Sequence, residues 1–327
     1  MLFVESTATD PRRNLALEER LFTSLSVGES CFMLWRNEPA VIVGRFQNTE
    51  AEVDRGFVED KGIHVVRRLS GGGAVYHDLG NLNYSFIVDA GEAAGYDFGF
   101  FARNVVDALA RIGVEAACTG RNDLTIDGRK FSGSAQHVGQ GRILHHGCIM
   151  LDTDLSAVAG ALKPRDIKFS SKAVKSVRSR VTTVSAAAGR TIACEEFAPV
   201  LAREVFGGDA PAPCELGASD LAAVEQLFET KYARWEWNWG ASPAWSLSNA
   251  MKFPAGIVEV ALDVRAGRIA QARIFGDFFG TGDIGALEAA LVGVAVDDAL
   301  EESLAALAPE RYLHGIGAVE LAQVIRG

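Results

Sequence analysis

The segment RNDLTIDGRKFSGSA, residues 121–135, leaves the chain little choice of local structure. Asp127-Gly128 stands between two alternating runs, and an Asp-Gly pair in that setting marks a two-residue hairpin, whose central residues both need positive φ. The turn then dictates a register: Ile126 opposite Arg129, Thr125 opposite Lys130, Leu124 opposite Phe131 and Asp123 opposite Ser132. Side chains alternate between faces. Arg121, Asp123, Thr125, Lys130, Ser132 and Ser134 therefore share one face, and Leu124, Ile126 and Phe131 the other. Lys130 stands diagonally across from Asp123, within reach of it or of a shared ligand. A solvated antiparallel sheet shows the same alternation, so the hairpin specifies geometry before it specifies chemistry.

A second segment adds chemistry. RRLSGGGAVYHDLGN, residues 67–81, puts Gly71, Gly72 and Gly73 between two strand-like runs, directly after Arg67 and Arg68. Such a loop can bring backbone N–H groups close to an anion, and a neighbouring guanidinium adds planar donors suited to phosphate or carboxylate. A flexible turn is the plain alternative, but Arg68, His77, Asp78 and Asn81 are more polar groups than a turn requires.

Around these motifs the first half reads as strands and helices: LFVES, CFMLWR, AVIVGRF, IHVVRR, GAVYH and LNYSFIV alternate or run apolar. Asp10-Pro11 reads as a turn and Asn14 as the N-cap of a helix whose apolar face is Leu15, Leu17, Leu21, Phe22 and Leu25; Asp97 to Ile112 is a further helix. A turn-rich link from Ala210 leads to a helix over Asp220 to Tyr232 and then to RWEWNWGASPAW, where a domain boundary is expected. Beyond it, GIVEVALDVRAGRIAQARIFGDF reads as two strands around an Ala-Gly turn, followed by helical ALEAALVG and DALEESLAALA. The expectation is an α+β chain with a larger domain over residues 1–243 and a smaller α+β domain over 244–327.

Composition narrows the function. A formal net charge of -10 lacks the basic footprint of proteins that grip nucleic acid by its phosphates, so no nucleic-acid partner is expected. One local exception runs from Lys163 to Arg180, where seven cations stand against Asp166 alone, either as a solvated loop face or as a cover over an anionic ligand. No basic stretch leads into an apolar run, and no apolar run approaches about eighteen residues, so a soluble, cytoplasmic protein without a membrane partner is expected. Cys31, Cys118, Cys148, Cys194 and Cys214 are scattered and never paired as C-x-x-C, which fits a reducing compartment. GxxxxGK[ST], GxSxG and HExxH are absent. Gly280, Gly282 and Gly285 satisfy GxGxxG, but no βαβ continuation follows, and they are read as turning the chain into a helix. His145-His146 lacks further ligands at metal spacing, and Trp235, Trp237 and Trp239 are read as a buried aromatic face.

The stretches RRLSGGGAVYHDLGNLNYSF, GRNDLTIDGRKFSGSA, HHGCIMLDTDLS and KSVRSRVTTV, in that order and spacing, resemble the bacterial lipoate-protein ligase A family, and the likeness continues through WEWNWG into the GIVEVALDV to FGDFF region. The resemblance implies that residues 1–243 are a mixed-sheet catalytic domain related to the class II biotin and aminoacyl-tRNA synthetases and that 244–327 are an accessory domain. It also implies two-step chemistry, in which lipoate and Mg-ATP give lipoyl-AMP and an acceptor lysine then takes the lipoyl group. The implied cofactors are ATP and Mg2+. The implied acceptors are the lipoyl domains of 2-oxoacid dehydrogenase acyltransferase subunits and the glycine-cleavage H protein.

Carried over by motif, Lys130 contacts both the lipoate carboxylate and the α-phosphate, and Arg68 with Gly71 to Gly73 holds the nucleotide. Ala74, Val75 and Tyr76 continue the backbone segment at ATP, while Gly73 and His77 also meet lipoate. Asn81 and Asp123 join the nucleotide site, Asp123 either as an Mg2+ ligand or as the group that orients Lys130. The KSVRSRV region resembles the family's cover over the intermediate. Two other functions compete. One is an ATP-independent octanoyl or lipoyl transferase working through a thioester at Cys118 or Cys148, and the other is a non-catalytic lipoate-binding protein.

Overall fold

The order of strands follows from the apolar runs, and their pairing from which faces those runs must bury. In the computed structural model, which describes residues 1–26, 28–91, 98–119, 122–163, 180–240, 247–280 and 282–326, a seven-stranded mixed sheet organises the larger part of the chain. Its strands are β1 (Leu2–Glu5), β2 (Cys31–Trp35), β6 (Asn81–Asp89), β7 (Ala117–Thr119), β8 (Asp123–Ile126), β9 (Arg129–Gly139) and β10 (Arg142–Met150), in the spatial order β1-β2-β6-β10-β9-β8-β7. Only β1 and β2 run parallel; the other pairs are antiparallel. A small sheet of β3 (Ala40–Val43), β4 (His64–Arg67) and β5 (Val75–His77) has β3 at its centre.

The large sheet is buried on both sides. One face, with Phe32, Tyr84, Phe86 and Phe131, is covered by the helices Phe98–Arg111 and Cys194–Val205. The other, with Met33, Ile87 and Leu144, packs against the helix Pro11–Ser24 and against Ile42 and Val66 of the small sheet. Val41, Val43 and Tyr76 point away from the large sheet into a core of their own. The Pro11–Ser24 helix buries the predicted Leu15, Leu17, Leu21 and Phe22, but its cap is Asp10, whose side chain accepts from the Arg12 N–H, with Pro11 in the first turn. Pro there lacks only an N–H that would have had no helical partner. Asn14 is thus freed from capping and is fully buried.

The hairpin departs from its expected register at one point. Ile126 faces Arg129 and Thr125 faces Lys130, but Leu124 faces Ser132 and Asp123 faces Gly133, so Phe131 is an extra residue on β9. The slip is a β-bulge. It sends Phe131 into the aromatic core and turns Ser132 to the core side, opposite Leu124 and Ile149, rather than to the face of Lys130. Ser134 follows, paired across Gly147 from the core residue Tyr84. Arg121, the expected 243/244 boundary and the basic segment between Lys163 and Arg180 lie outside the described residues.

The second unit is a three-stranded antiparallel sheet of β11 (Leu247–Phe253), β12 (Gly256–Arg265) and β13 (Arg268–Gly276), the last two joined through Ala266 and Gly267 at positive φ. Helices Ile284–Leu291, Leu300–Leu307 and Ala318–Arg326 close its core. Gly280 and Gly282 approach the Arg311-Tyr312 backbone and the Tyr312 ring so closely that a side chain would collide. Phe46 crosses from the larger part of the chain into this second core and stacks on Phe278 at 5.0 Å.

WEWNWG does not alternate as a strand. Trp235–Asn238 is a helical turn in which Trp235 is exposed and Trp237 lies between Arg45 and Lys231. Arg67 holds this turn in place: its guanidinium donates to the carbonyls of Gly44, Arg45, Gln47 and Trp237 at 2.7–3.1 Å and to Thr49 Oγ1 at 2.7 Å. Burial pushes its pKa down to about 10, still charged at any working pH. Arg67→Met should cost at least about 3 kcal/mol in urea denaturation, because several buried carbonyls lose a charged donor at once. A loss below about 1 kcal/mol would mean those carbonyls find other donors.

Candidate active site

Four pairings line up one row of side chains across the face of the large sheet that looks at the small one. Trp35 on β2 faces Asn83 on β6, Asn83 faces Cys148 on β10, Cys148 faces Gly133 on β9, and Gly133 faces Asp123 on β8. The bulge is what brings a glycine into this row where the regular register had Ser132. Lys130 uses the space: its Nζ pairs with Asp123 Oδ1 at 2.7 Å, and a Cβ on Gly133 would lie 3.0 Å from that nitrogen.

Opposite the row, the small sheet and the glycine loop complete a cleft of about 120 Å³ that opens to solvent. Gly72, Gly73, Ala74 and Val75 form one wall, and Leu15, Trp35 and Ile42 give an apolar end. Arg68, His77 and Lys130 also line it, so most of the residues predicted from sequence converge. Four do not reach the wall. Gly71 turns to the second unit, where a Cβ would lie 2.3 Å from the Phe278 carbonyl oxygen. The Tyr76 side chain is in the separate core beneath the small sheet. Asn81 lies two residues from Asn83, beyond the wall, and Asp123 stands behind Lys130.

Arg68 is fully buried and occupied by the loop itself. It donates to the carbonyls of Gly71 at 2.7 Å, Gly73 at 2.9 Å and Ile42 at 3.1 Å, and to Ser70 Oγ at 3.0 Å. Its charge thus shapes the loop and faces the cleft from below. Gly72 takes φ +91°, and a Cβ on Gly44 would meet its carbonyl oxygen at 2.0 Å, so both positions need glycine.

Sequence reasoning missed the chain of contacts that fixes the loop from the other side. Glu18, buried on the helix Pro11–Ser24, accepts from Ser85 Oγ at 2.5 Å and meets His146 Nδ1 at 2.9 Å, while His146 Nε2 meets Ser70 Oγ at 2.6 Å. A carboxylate among Leu15, Leu17 and Leu21 was the available signal. Nor did the sequence single out Asn83, which stands there only within the strand-like run LNYSFIV.

The protonation of His77 follows from its neighbours. Asn14 points its Nδ2 at the carbonyls of Ala8 and Arg36 and at Asn37 Oδ1, so Asn37 turns its own Nδ2 to His77 Nδ1 at 3.1 Å. Nδ1 therefore accepts, and the ring proton sits on Nε2, which has no partner among the described residues. Burial drives the His77 pKa down to about 3 and that of the buried His145 well below the ordinary imidazole range. Cys148 is buried and its thiol pushed up. Cys118 is exposed on β7 and pairs with Leu124, on the face away from Lys130.

Fold and cleft together define a lipoyl-ligase type of catalytic domain: residues 10–206 match the family model described as the lipoyl protein ligase A/B catalytic domain, and residues 242–325 match the bacterial lipoate protein ligase C-terminus. Lipoate-protein ligase LplJ of Bacillus subtilis is 42% identical over 90% of each chain, and lipoate–protein ligase 1 of Staphylococcus aureus is 41% identical over 97% of this chain and 96% of its own. The fold is shared along its length with P. falciparum LipL1 in complex with lipoate, with a TM-score of 0.77 at 23% identity over 99% and 98% of the two chains. A bi-partite lipoate protein ligase of Thermoplasma acidophilum, from a structural analysis of an archaeal lipoylation system that includes its E2 lipoyl domain, aligns with a TM-score of 0.64 and 30% identity, covering 75% of this chain and 98% of that one. Lipoate-protein ligase A bound with ATP aligns with a TM-score of 0.63 and 26% identity over 73% and 99%. The chain belongs to the lipoate-protein ligase A family.

The two histidines make stability fall with acid. Each binds a proton more readily unfolded, near pH 6.5, than folded, so neither weakens the fold above that pH. Below it, each removes about 1.4 kcal/mol per pH unit, or about 2.7 kcal/mol for both. Urea denaturation at pH 7, 6 and 5 should show this steepening; a slope under that of one proton near pH 5 would mean that the histidines protonate within the fold.

Proposed function

We propose that this chain joins lipoate to ATP, releasing pyrophosphate and forming lipoyl-AMP in the cleft, and then transfers the lipoyl group to a lysine of an acceptor domain. The observation that carries this is the Lys130 ammonium, held by Asp123 above Gly133 and facing a glycine loop across a cleft with an apolar end. Attack of a carboxylate on an α-phosphate brings two anions together, and a fixed cation between them stabilises the charge that builds on the phosphoryl oxygens. The acyl chain lies toward Leu15, Ile42 and Trp35, and the phosphates lie along the backbone from Gly72 to Val75. Arg68 supports them through the loop carbonyls it holds, and Gly71 acts through its seat on the second unit. Tyr76 contributes only backbone at the nucleotide, Asn81 extends the polar wall beyond Asn83, and the neutral His77 offers its Nε2–H to a ligand oxygen.

Mg2+ belongs to the nucleotide in this scheme. Among the described residues no group of three or more ligating side chains converges, which fits an ion held mainly by phosphates, with Asp123 able to lend one carboxylate oxygen. When bound, the ion would neutralise phosphate charge.

The lipoate-protein ligases that the chain resembles, one of them bound with ATP and another characterised alongside its E2 lipoyl domain, support this choice of substrates and partner. The finer acceptors are the lipoyl domains of 2-oxoacid dehydrogenase acyltransferase subunits and the glycine-cleavage H protein. Residues 1–243 form the catalytic domain and 244–327 the accessory one. No described helix is long and apolar enough to cross a membrane, and ATP use fits the cytoplasm. A thioester route is disfavoured because the Cys148 thiol is held protonated by burial and Cys118 is on the wrong face.

Intact-mass analysis of an apo lipoyl domain incubated with the protein, lipoate and Mg-ATP should show the lipoyl mass only when ATP is present. Pyrophosphate release with lipoate separates this from a binding protein without turnover. Lys130→Ala should abolish adenylate formation with the fold intact, and Cys148→Ala should retain it; the reverse pattern would establish the thioester route. Gly133→Ala pushes only the flexible end of Lys130 aside by a few tenths of an ångström, so melting should be unchanged while turnover falls by less than the roughly 10²-fold cost of a misplacement of about 1 Å. Full activity in Gly133→Ala would mean the ammonium works elsewhere.

A further inference from the structure

Asn83 has a free-energy problem that none of the described residues solves. It is 0% exposed, and neither its Oδ1 nor its Nδ2 has a hydrogen-bond partner among the described residues. An amide in this state has lost its hydrogen bonds to water without replacement, a net cost to the folded state. An apolar residue of the same shape would avoid that cost, so the amide is informative about what enters the cleft it lines.

Its position says which group that is. Asn83 lies in the same cross-strand row as Gly133, with Cys148 between them, and Lys130 Nζ stands over Gly133. Two strand steps separate Asn83 from Gly133 by about 10 Å. A carboxylate hydrogen-bonded at one oxygen to an amide N–H and at the other to an ammonium spans about 8 Å between the two nitrogens. An acyl carboxylate above Cys148 therefore meets Lys130 with the oxygen that bonds to phosphorus and Asn83 with the oxygen that stays on carbon. The Cys148 thiol beneath it is neutral and does not repel it.

We propose that Asn83 is a catalytic residue of the transfer step, its Nδ2–H donating to the acyl carbonyl oxygen as the acceptor amine attacks. This rests on the ligase reading above. In the step, the C–N bond forms, the acyl C–O bond to phosphate breaks, AMP leaves with the electron pair and the amine proton passes to solvent. Negative charge on the carbonyl oxygen is greatest midway, where a donor fixed in a buried site is worth most. The Nε2–H of His77, in the same wall and equally without a partner, is the neighbouring donor.

The experiment is single-turnover transfer from chemically prepared lipoyl-AMP to an apo lipoyl domain, with wild type, Asn83→Leu and Asn83→Ala, alongside thermal melting. The expected result is transfer slowed about 10²-fold in both variants. Asn83→Leu should melt no lower than wild type, since it removes unpaired polar atoms; a purely structural asparagine would lower the melting temperature with the rate. Asn83→Ala is too small to clash and covers the case in which leucine does not fit. Transfer within about threefold of wild type in either folded variant overturns the assignment while leaving the ligase reading standing. A wild-type protein that does not transfer from lipoyl-AMP overturns both.

Discussion

Two adjacent arginines at the end of β4 set the geometry on which the cleft depends. Arg67 and Arg68 leave the strand in opposite directions, and among the described residues neither has a carboxylate partner; both charges are met by main-chain carbonyls. A guanidinium is suited to this, since five donors in a plane can satisfy several carbonyls that a loop would otherwise leave bare. Arg67 gathers the 44–49 segment and the tryptophan turn around one point, while Arg68 gathers the glycine loop around another. Loop backbone that would normally be mobile is thereby held from inside, and its N–H groups are left for a ligand.

The same loop is pinned from two further directions. Ser70 reaches through His146 to Glu18 on the first helix, so the loop and that helix move together. Gly71 lies against the Phe278 carbonyl, and Gly276 N–H donates to the Phe46 carbonyl at 2.7 Å, so the second unit bears on the loop as well. With Phe46 buried in the second core, the C-terminal part is a support for the glycine-loop wall of the cleft rather than an appended module.

Much of this was legible in the amino-acid sequence because it is local. The strands, the Asp127-Gly128 turn, the apolar face of the first helix and the glycine loop each depend on residues a few positions apart. The bulge at Phe131 was not legible, since a one-residue slip is decided by the aromatic core that Phe131 enters, and that core comes from β2, β6 and two distant helices. The Asp10 cap was legible and misread: Pro at the first helical position is a start signal, and treating Asp10-Pro11 as a turn displaced the cap to Asn14. Glu18, His146 and Ser70 could not be joined from spacing alone, because they lie on three elements brought together only by the packed sheet.

The polar groups of the cleft divide by whether the protein satisfies them. Glu18, Ser70, Ser85 and Arg68 have partners, and their energy goes into holding shape. Asn83 and the Nε2 of His77 have none among the described residues, and their cost is borne by the folded state. Removing either would stabilise the protein if shape were all that mattered. A cleft built this way spends its partnered groups on rigidity and its unpartnered ones on the ligand, which is the distribution an acyl-transfer site needs, because donors already fixed and dry require no reorganisation when charge develops.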